Sequence, residues 1–168
     1  MEIERKFTVK ELPKDLEEYP CHIIEQAYLN TDPVVRVRRQ DDEYYMTYKG
    51  RGLLAREEYN LPLNETSYYH LRGKADGNVI SKKRYVIPIT EPTFMSDNFE
   101  NFDHPGLCVE LDIFDAPFAP LVIAEVEFPS EDMANAFRPL DWFDQDVTHD
   151  PAYHNSNLSI SRGGLSHH

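Results

Sequence analysis

Short runs rich in β-branched and aromatic residues, separated by turn formers, cover residues 2–9, 21–30, 34–40, 43–49 and 56–61, and this pattern predicts strands. Further strands are expected at 78–88, 107–114 and 120–128. Within them, apolar and charged positions alternate. Ile3 and Phe7 interleave with Glu2, Glu4 and Lys6, Val35 and Val37 with Arg36 and Arg38, and Ala124, Val126 and Phe128 with Glu125 and Glu127. Asn30-Thr31-Asp32-Pro33 and Lys49-Gly50-Arg51-Gly52 read as connections and Gln40-Asp41-Asp42 as a hairpin turn, so a mostly antiparallel meander follows. Helical pattern is confined to 64–72 and to a second segment opening at Ser130, whose hydroxyl is expected to cap the first turn. Residues 91–105 fit either a short strand or a long loop.

The length of 168 residues suits a single domain, expected over 1–162 with a short tail at 163–168. Cys21 and Cys108 have no C-x-x-C companion and read as ordinary thiols rather than a disulfide or zinc framework. A charged start and the lack of any run of about 18 apolar residues predict a cytoplasmic protein without a membrane span. The net charge is −13, and it is unevenly placed: residues 1–84 hold 15 of the 17 Lys+Arg and 15 of the 30 Asp+Glu. The excess acid therefore lies in the second half. An overall field of this sign repels nucleic acid and anionic membranes, so any bound polyanion must enter a local basic pocket.

Side chains at i and i+2 of a strand share a face, and this chain repeatedly places charge at that spacing. The sets are Glu2/Glu4 with Lys6, Arg36/Arg38, Thr47/Lys49, Arg56/Glu58, Lys82/Arg84, Glu110/Asp112 and Glu125/Glu127. A solvated outer face would mix Thr, Ser, Gln and Lys with scattered signs. Paired charges on six or seven strands are better explained by a closed barrel whose lumen is charged. Both signs belong together if the ligand is a metal–triphosphate: Lys and Arg donate to phosphate oxygens, and carboxylates bind hard divalent cations.

At Glu2-Ile3-Glu4-Arg5-Lys6 the chain resembles the E-x-E-x-K signature of the CYTH domain, the superfamily also called triphosphate tunnel metalloenzymes. The resemblance continues through Arg36-Val37-Arg38-Arg39, Thr47-Tyr48-Lys49-Gly50, Arg56-Glu57-Glu58, Lys82-Lys83-Arg84-Tyr85, Glu110-Leu111-Asp112, Ala124-Glu125-Val126-Glu127 and Asp146-Val147-Thr148. It implies a mainly β, α+β fold: an eight-stranded antiparallel tunnel with a few helices packed outside. It also implies Mg²⁺ or Mn²⁺ as cofactor and a small-molecule triphosphate as substrate, in a monomer or homodimer. By the same matching, Glu2, Glu4, Glu125 and Glu127 look like the main metal carboxylates, with Glu58 and Asp112 as further candidates. Lys6, Arg36, Arg38, Lys49, Lys82 and Arg84, with Arg56, look like the phosphate grips, and Glu4, Lys6 and Glu127 are the catalytic candidates. Arg39 and Lys83 have the opposite parity and are left out. Asn60 departs from the R-x-E-x-E run of similar proteins, and the segment 153–158 resembles the family's ending, a lid or plug.

The leading expectation is metal-dependent hydrolysis of inorganic triphosphate or of a small organic triphosphate. The resemblance also admits cyclisation of ATP by a class IV-type adenylate cyclase and hydrolysis of thiamine triphosphate. A cyclase needs a nucleoside pocket, for which Tyr44, Tyr45, Tyr48 and Trp142 are the aromatic candidates. A non-catalytic polyphosphate-binding module would need only the basic set, and the presence of both sets favours an enzyme.

Overall fold

The strand-forming runs assemble into one antiparallel sheet that curls on itself, as seen in a computed structural model that describes residues 1–99 and 106–159. The strands are β1 (Glu2–Val9), β2 (Cys21–Thr31), β3 (Val34–Gln40), β4 (Glu43–Lys49), β5 (Ala55–Arg56), β6 (Glu58–Leu63), β7 (Ile80–Pro88), β8 (Cys108–Phe114), β9 (Val122–Glu127) and β10 (Phe143–Asp146). Along the sheet they run β10-β1-β9-β8-β7-β2-β3-β4-β6, and β5 pairs with β1. The expected run at 56–61 is divided at Glu57 for a topological reason. Arg56 is registered against Glu2 of β1, whereas Glu58 is registered against Lys49 of β4. One extended stretch thus crosses from β1 to β4 and joins the two ends of the meander. Counting β5 and β6 as one stave gives the eight expected, and β10 lies beside the C-terminal half of β1.

The apolar faces point outward, and helices cover them. Helix α1 (Glu65–Arg72) begins at a reciprocal cap, with Ser67 N donating to Asn64 Oδ1 at 2.7 Å and Asn64 N donating to Ser67 Oγ at 3.0 Å. It lays Tyr68 over Ala27 and Val37. Helix α2 (Glu131–Ala136) starts where expected, Met133 N donating to Ser130 Oγ at 3.1 Å. Its Met133 and Ala134 close a larger cluster with Phe7, Val109, Leu111, Val126 and Phe143. Arg5, on the outward parity of β1, pins this helix by donating to the carbonyls of Ala134 (2.9 Å) and Phe137 (2.6 Å). Of the stretch that the sequence left open, Phe94 makes a bridge to Phe137 and Asp97–Phe99 forms a single helical turn. Residues 100–105 and the tail at 163–168 lie outside the described residues. Cys21 and Cys108 are free thiols, and no helix among the described residues is long and apolar enough to cross a membrane.

One end of the barrel interior is apolar. Short helix α3 (Asn155–Leu158) inserts Leu158 among Tyr28, Val34, Ile80, Phe114, Phe118 and Ile123. Gly77 permits the approach, because a Cβ there would stand 2.3 Å from the Ser159 carbonyl oxygen. Just before α3, His154 is buried, its Nε2 3.2 Å from the Thr148 carbonyl oxygen. Burial, then the charge of Lys6, pushes His154 down to about 4 from its ordinary 6.5. The unfolded chain therefore binds a proton that the folded one refuses between these values, and stability falls as pH drops from 6.5 towards 4, by up to about 3 kcal/mol. Urea unfolding of wild type and His154→Gln at pH 7 and at pH 4.5 checks this: the variant loses less stability on acidification, and equal losses would remove His154 as the cause.

Candidate active site

Inward parity gathers the charged pairs around a cavity of about 220 Å³. Glu2, Glu4, Lys6, Arg36, Arg38, Lys49, Arg56, Glu58, Arg84, Glu125 and Glu127 all line it. Cross-strand register explains the grouping, since Glu4 stands opposite Glu127, Lys6 opposite Glu125 and Arg36 opposite Thr47. Asn155 and Ser156 of α3 border the same space, so the resemblance to a plug at 153–158 corresponds to a segment at the cavity wall. Arg39 instead donates to Tyr69 Oη on the outer side at 3.1 Å, and Lys83 is exposed.

Two candidates do not reach the cavity surface. Lys82 and Asp112 are wholly buried in the wall, with Lys82 Nζ 2.7 Å from Asp112 Oδ2 in an ion contact poorly aligned for hydrogen bonding. Arg84 donates to both oxygens of Asp112, Nε to Oδ1 at 2.7 Å and Nη2 to Oδ2 at 2.9 Å. Burial alone would raise the Asp112 carboxyl, but Arg84 and then Lys82 outweigh it and hold it below the usual range. Lys82 is driven down to about 7 by burial, against the attraction of Asp112. Asp112 is thus engaged by two cations rather than presented to the lumen.

The sequence set also omitted lumen residues. Glu110, at the same parity as Asp112, lines the cavity and accepts from Arg84 Nη1 at 2.9 Å. Tyr28, Gln40 and Tyr45 line it as well. Glu110 was already marked by its pairing with Asp112 and Tyr45 as an aromatic candidate, whereas Tyr28 and Gln40, being uncharged, carried only the signal of strand parity. Of the four aromatic candidates for stacking a base, Tyr45 alone faces the cavity. Tyr44 packs on Tyr68, Tyr48 on Tyr59 and Trp142 on Phe143.

Charge compensation within the lumen is unequal. Lys49 Nζ lies 2.8 Å from Glu2 and 3.3 Å from Glu58, and Lys6 Nζ lies 3.4 Å from Glu125, which also has Arg84 at 3.6 Å. Burial would raise Glu125, yet Lys6 and Arg84 hold it well below the usual carboxylate range. Among the described residues, neither Glu4 nor Glu127 has a cationic side chain within 4.0 Å, and neither Arg36 nor Arg38 has a carboxylate within that distance. Glu4 is pushed up to about 8, first by burial and then by the charges of Glu125 and Glu2. Glu127 is raised by burial, then by Glu110 and Glu4. The surplus charges also occupy different walls. In the ring of eight staves β9, which carries Glu127, is the fourth from β3, which carries Arg36 and Arg38, in either direction.

A carboxylate wall short of positive charge fits a hard divalent cation, which would offset the repulsion among Glu2, Glu4 and Glu127. Among the described residues no three of these groups converge closely enough to enclose a metal as they stand, so holding one requires side-chain rotation. The opposite wall, with guanidinium groups lacking carboxylate partners, suits phosphate oxygens.

Comparison with known proteins places this architecture. Residues 1–116 match the CYTH domain. The inorganic triphosphatase of Nitrosomonas europaea is 37% identical over 164 residues, 95% of this chain and 97% of that protein. The inorganic triphosphatase of Acetivibrio thermocellus is 34% identical over 161 residues, covering 94% of this chain and 92% of the relative. A crystal structure of an inorganic triphosphatase superposes with a TM-score of 0.68 at 35% identity, covering 98% of this chain and 97% of the other. By its sequence over this span, and by the inward-facing charges that the barrel collects, the chain belongs to the CYTH domain family.

Proposed function

We propose that this protein hydrolyses inorganic triphosphate to pyrophosphate and phosphate, using Mg²⁺ or Mn²⁺. The observation that carries the reading is the pair of uncompensated sets in one lumen: among the described residues, Glu4 and Glu127 have no cationic side chain, and Arg36 and Arg38 no carboxylate, within 4.0 Å. A linear triphosphate between them, with cations on its acidic side, would offset both surpluses at once. The names of the two similar triphosphatases support the same substrate class.

In this reading Glu4 and Glu127, with Glu2 and Glu125 beside them, hold the metal, which when bound neutralises phosphate charge and favours an ionised attacking water. Glu58, restrained by Lys49 at 3.3 Å and Asn60 at 3.1 Å, is a further carboxylate at the lumen. Arg36 and Arg38 grip phosphate oxygens, while Lys6, Lys49, Arg56 and Arg84 line the path and keep the chain in line for attack. Asp112, itself in contact with Lys82, acts behind the wall by fixing Arg84. Catalysis then rests on positioning and charge stabilisation more than on covalent chemistry. Of the four stacking candidates only Tyr45 faces the lumen, which it borders together with Tyr28.

The test is phosphate release from a panel of inorganic triphosphate, ATP and thiamine triphosphate, each with Mg²⁺ and with Mn²⁺, with ATP products also assayed for cyclic AMP. Inorganic triphosphate is expected to give the highest kcat/KM. Cyclic AMP as the main ATP product, at higher kcat/KM, would replace this reading with a cyclase, and binding without turnover of any substrate would leave a capture module.

A further inference from the structure

Gln26 sits on β2 directly opposite Arg38 of β3 and is completely buried. Its Oε1 accepts two hydrogen bonds from the same guanidinium, from Arg38 Nε at 2.8 Å and from Nη2 at 2.6 Å. An arginine offers donors only, so the amide oxygen must face it and the amide nitrogen must face away. That nitrogen, Nε2, is buried with no partner among the described residues. The third arm of Arg38, Nη1, makes only a long contact of 3.4 Å to Tyr45 Oη, a side chain that lines the cavity.

Arg84 presents the same two arms, Nε and Nη2, but there each reaches its own oxygen of the Asp112 carboxylate. The contrast is chemical. A glutamate at position 26 would have nearly the same shape, would make stronger charge-assisted bonds to Arg38 and would leave no amide nitrogen without a partner. For a folded chain alone, the carboxylate is the better match. The neutral amide still holds the guanidinium through two of its arms, and what it gains over a carboxylate is that the positive charge stays uncancelled. Burial and the neighbouring charges of Arg36 and Arg84 all work against that charge, so an anion in the lumen is what would offset it.

We infer that Gln26 is a positioning residue that fixes the plane of Arg38 while keeping its charge available to the triphosphate. The inference rests on the triphosphate reading above and assigns Gln26 no contact with substrate. It separates two roles that sequence cannot distinguish, a cation committed to the wall (Arg84) and a cation reserved for the ligand (Arg38).

The test compares wild type, Gln26→Glu and Gln26→Met as full-length proteins. Each is assayed for kcat and KM with inorganic triphosphate and Mg²⁺, and for melting temperature in chelator. Gln26→Glu is expected to raise KM about tenfold or more, the scale of one charge-assisted contact, with kcat changed far less and melting temperature equal to or above that of wild type. Gln26→Met keeps the length but removes the acceptor; it is expected to raise KM and to lower the melting temperature. A merely structural role predicts instead that KM follows stability, leaving the Glu variant unimpaired. Gln26→Glu with a KM within about twofold of wild type overturns the inference, and if that variant does not fold, an unchanged KM in Gln26→Met does so. A wild type that neither turns over nor binds triphosphate overturns the functional reading itself, and the inference with it.

Discussion

Glu127→Gln is expected to lower turnover of inorganic triphosphate by about a hundredfold to a thousandfold, the range seen when one preorganised electrostatic element is removed from a site. Glutamine keeps the shape but removes an anionic oxygen donor at a position that, among the described residues, has no cationic side chain within 4.0 Å. Activity should recover partly as Mn²⁺ is raised, because the lost contribution is metal affinity. Glu4→Gln should behave alike and melt no lower than wild type in chelator, since it removes a buried charge that burial and two neighbouring carboxylates oppose. Arg38→Ala marks the other wall. It should raise KM about tenfold to a hundredfold by removing charge-assisted donors, and added metal should not restore it. Steady-state kinetics across a Mn²⁺ series tests all three. Wild-type turnover in folded Glu4→Gln and Glu127→Gln would return these charges to the role of a solvated face.

Asp112→Ala is expected to reduce folding stability by about 3–5 kcal/mol, because it strands Lys82 and Arg84 in the wall without their shared carboxylate. The size follows from burial. Lys82 and Asp112 are both wholly buried, where an unpaired charge cannot be screened by water. Lys82→Met is expected to cost much less, since it replaces a cation already driven down to about 7 with a side chain suited to contact with Phe114, whose ring centroid lies 5.2 Å from Lys82 Nζ. Urea unfolding of both variants in chelator is the measurement. A loss below about 1 kcal/mol for Asp112→Ala would mean that water or a rearranged side chain replaces the carboxylate. The folded fraction of that variant should keep the wild-type Mg²⁺ dependence, because Asp112 is engaged by Arg84 and Lys82 rather than open to the lumen.

Much of the barrel was legible in the sequence because strand alternation is a local property. Ile3, Val37, Leu111 and Val126 announce an outward apolar face, and the charges between them must then point inward wherever the sheet closes. Ser130 announced its helix for a similar reason, since a cap satisfies backbone groups within three residues of itself, while the cap at Asn64 emerged only with the structure. Parity could not say how deep an inward residue lies. Glu110 and Asp112 read identically, yet one borders the lumen and the other is sealed behind Arg84.

The sequence by itself determined the succession of the eight main staves, though not β10, together with the two faces of each and the presence of acids and bases on the same side. The tertiary structure decided which of those charges are spent on one another. Lys49 meets Glu2 across 47 positions and Arg84 meets Asp112 across 28, whereas among the described residues Glu4, Glu127, Arg36 and Arg38 are left without such partners. That division depends on the crossing of 55–58 from β1 to β4 and on the register of strands distant along the chain. Gln26 shows the same limit: a neutral residue carries no charge pattern, and its meaning arises only when Arg38 is folded against it. Electrostatic compensation is a property of distances in space, and those distances are set only when the barrel closes.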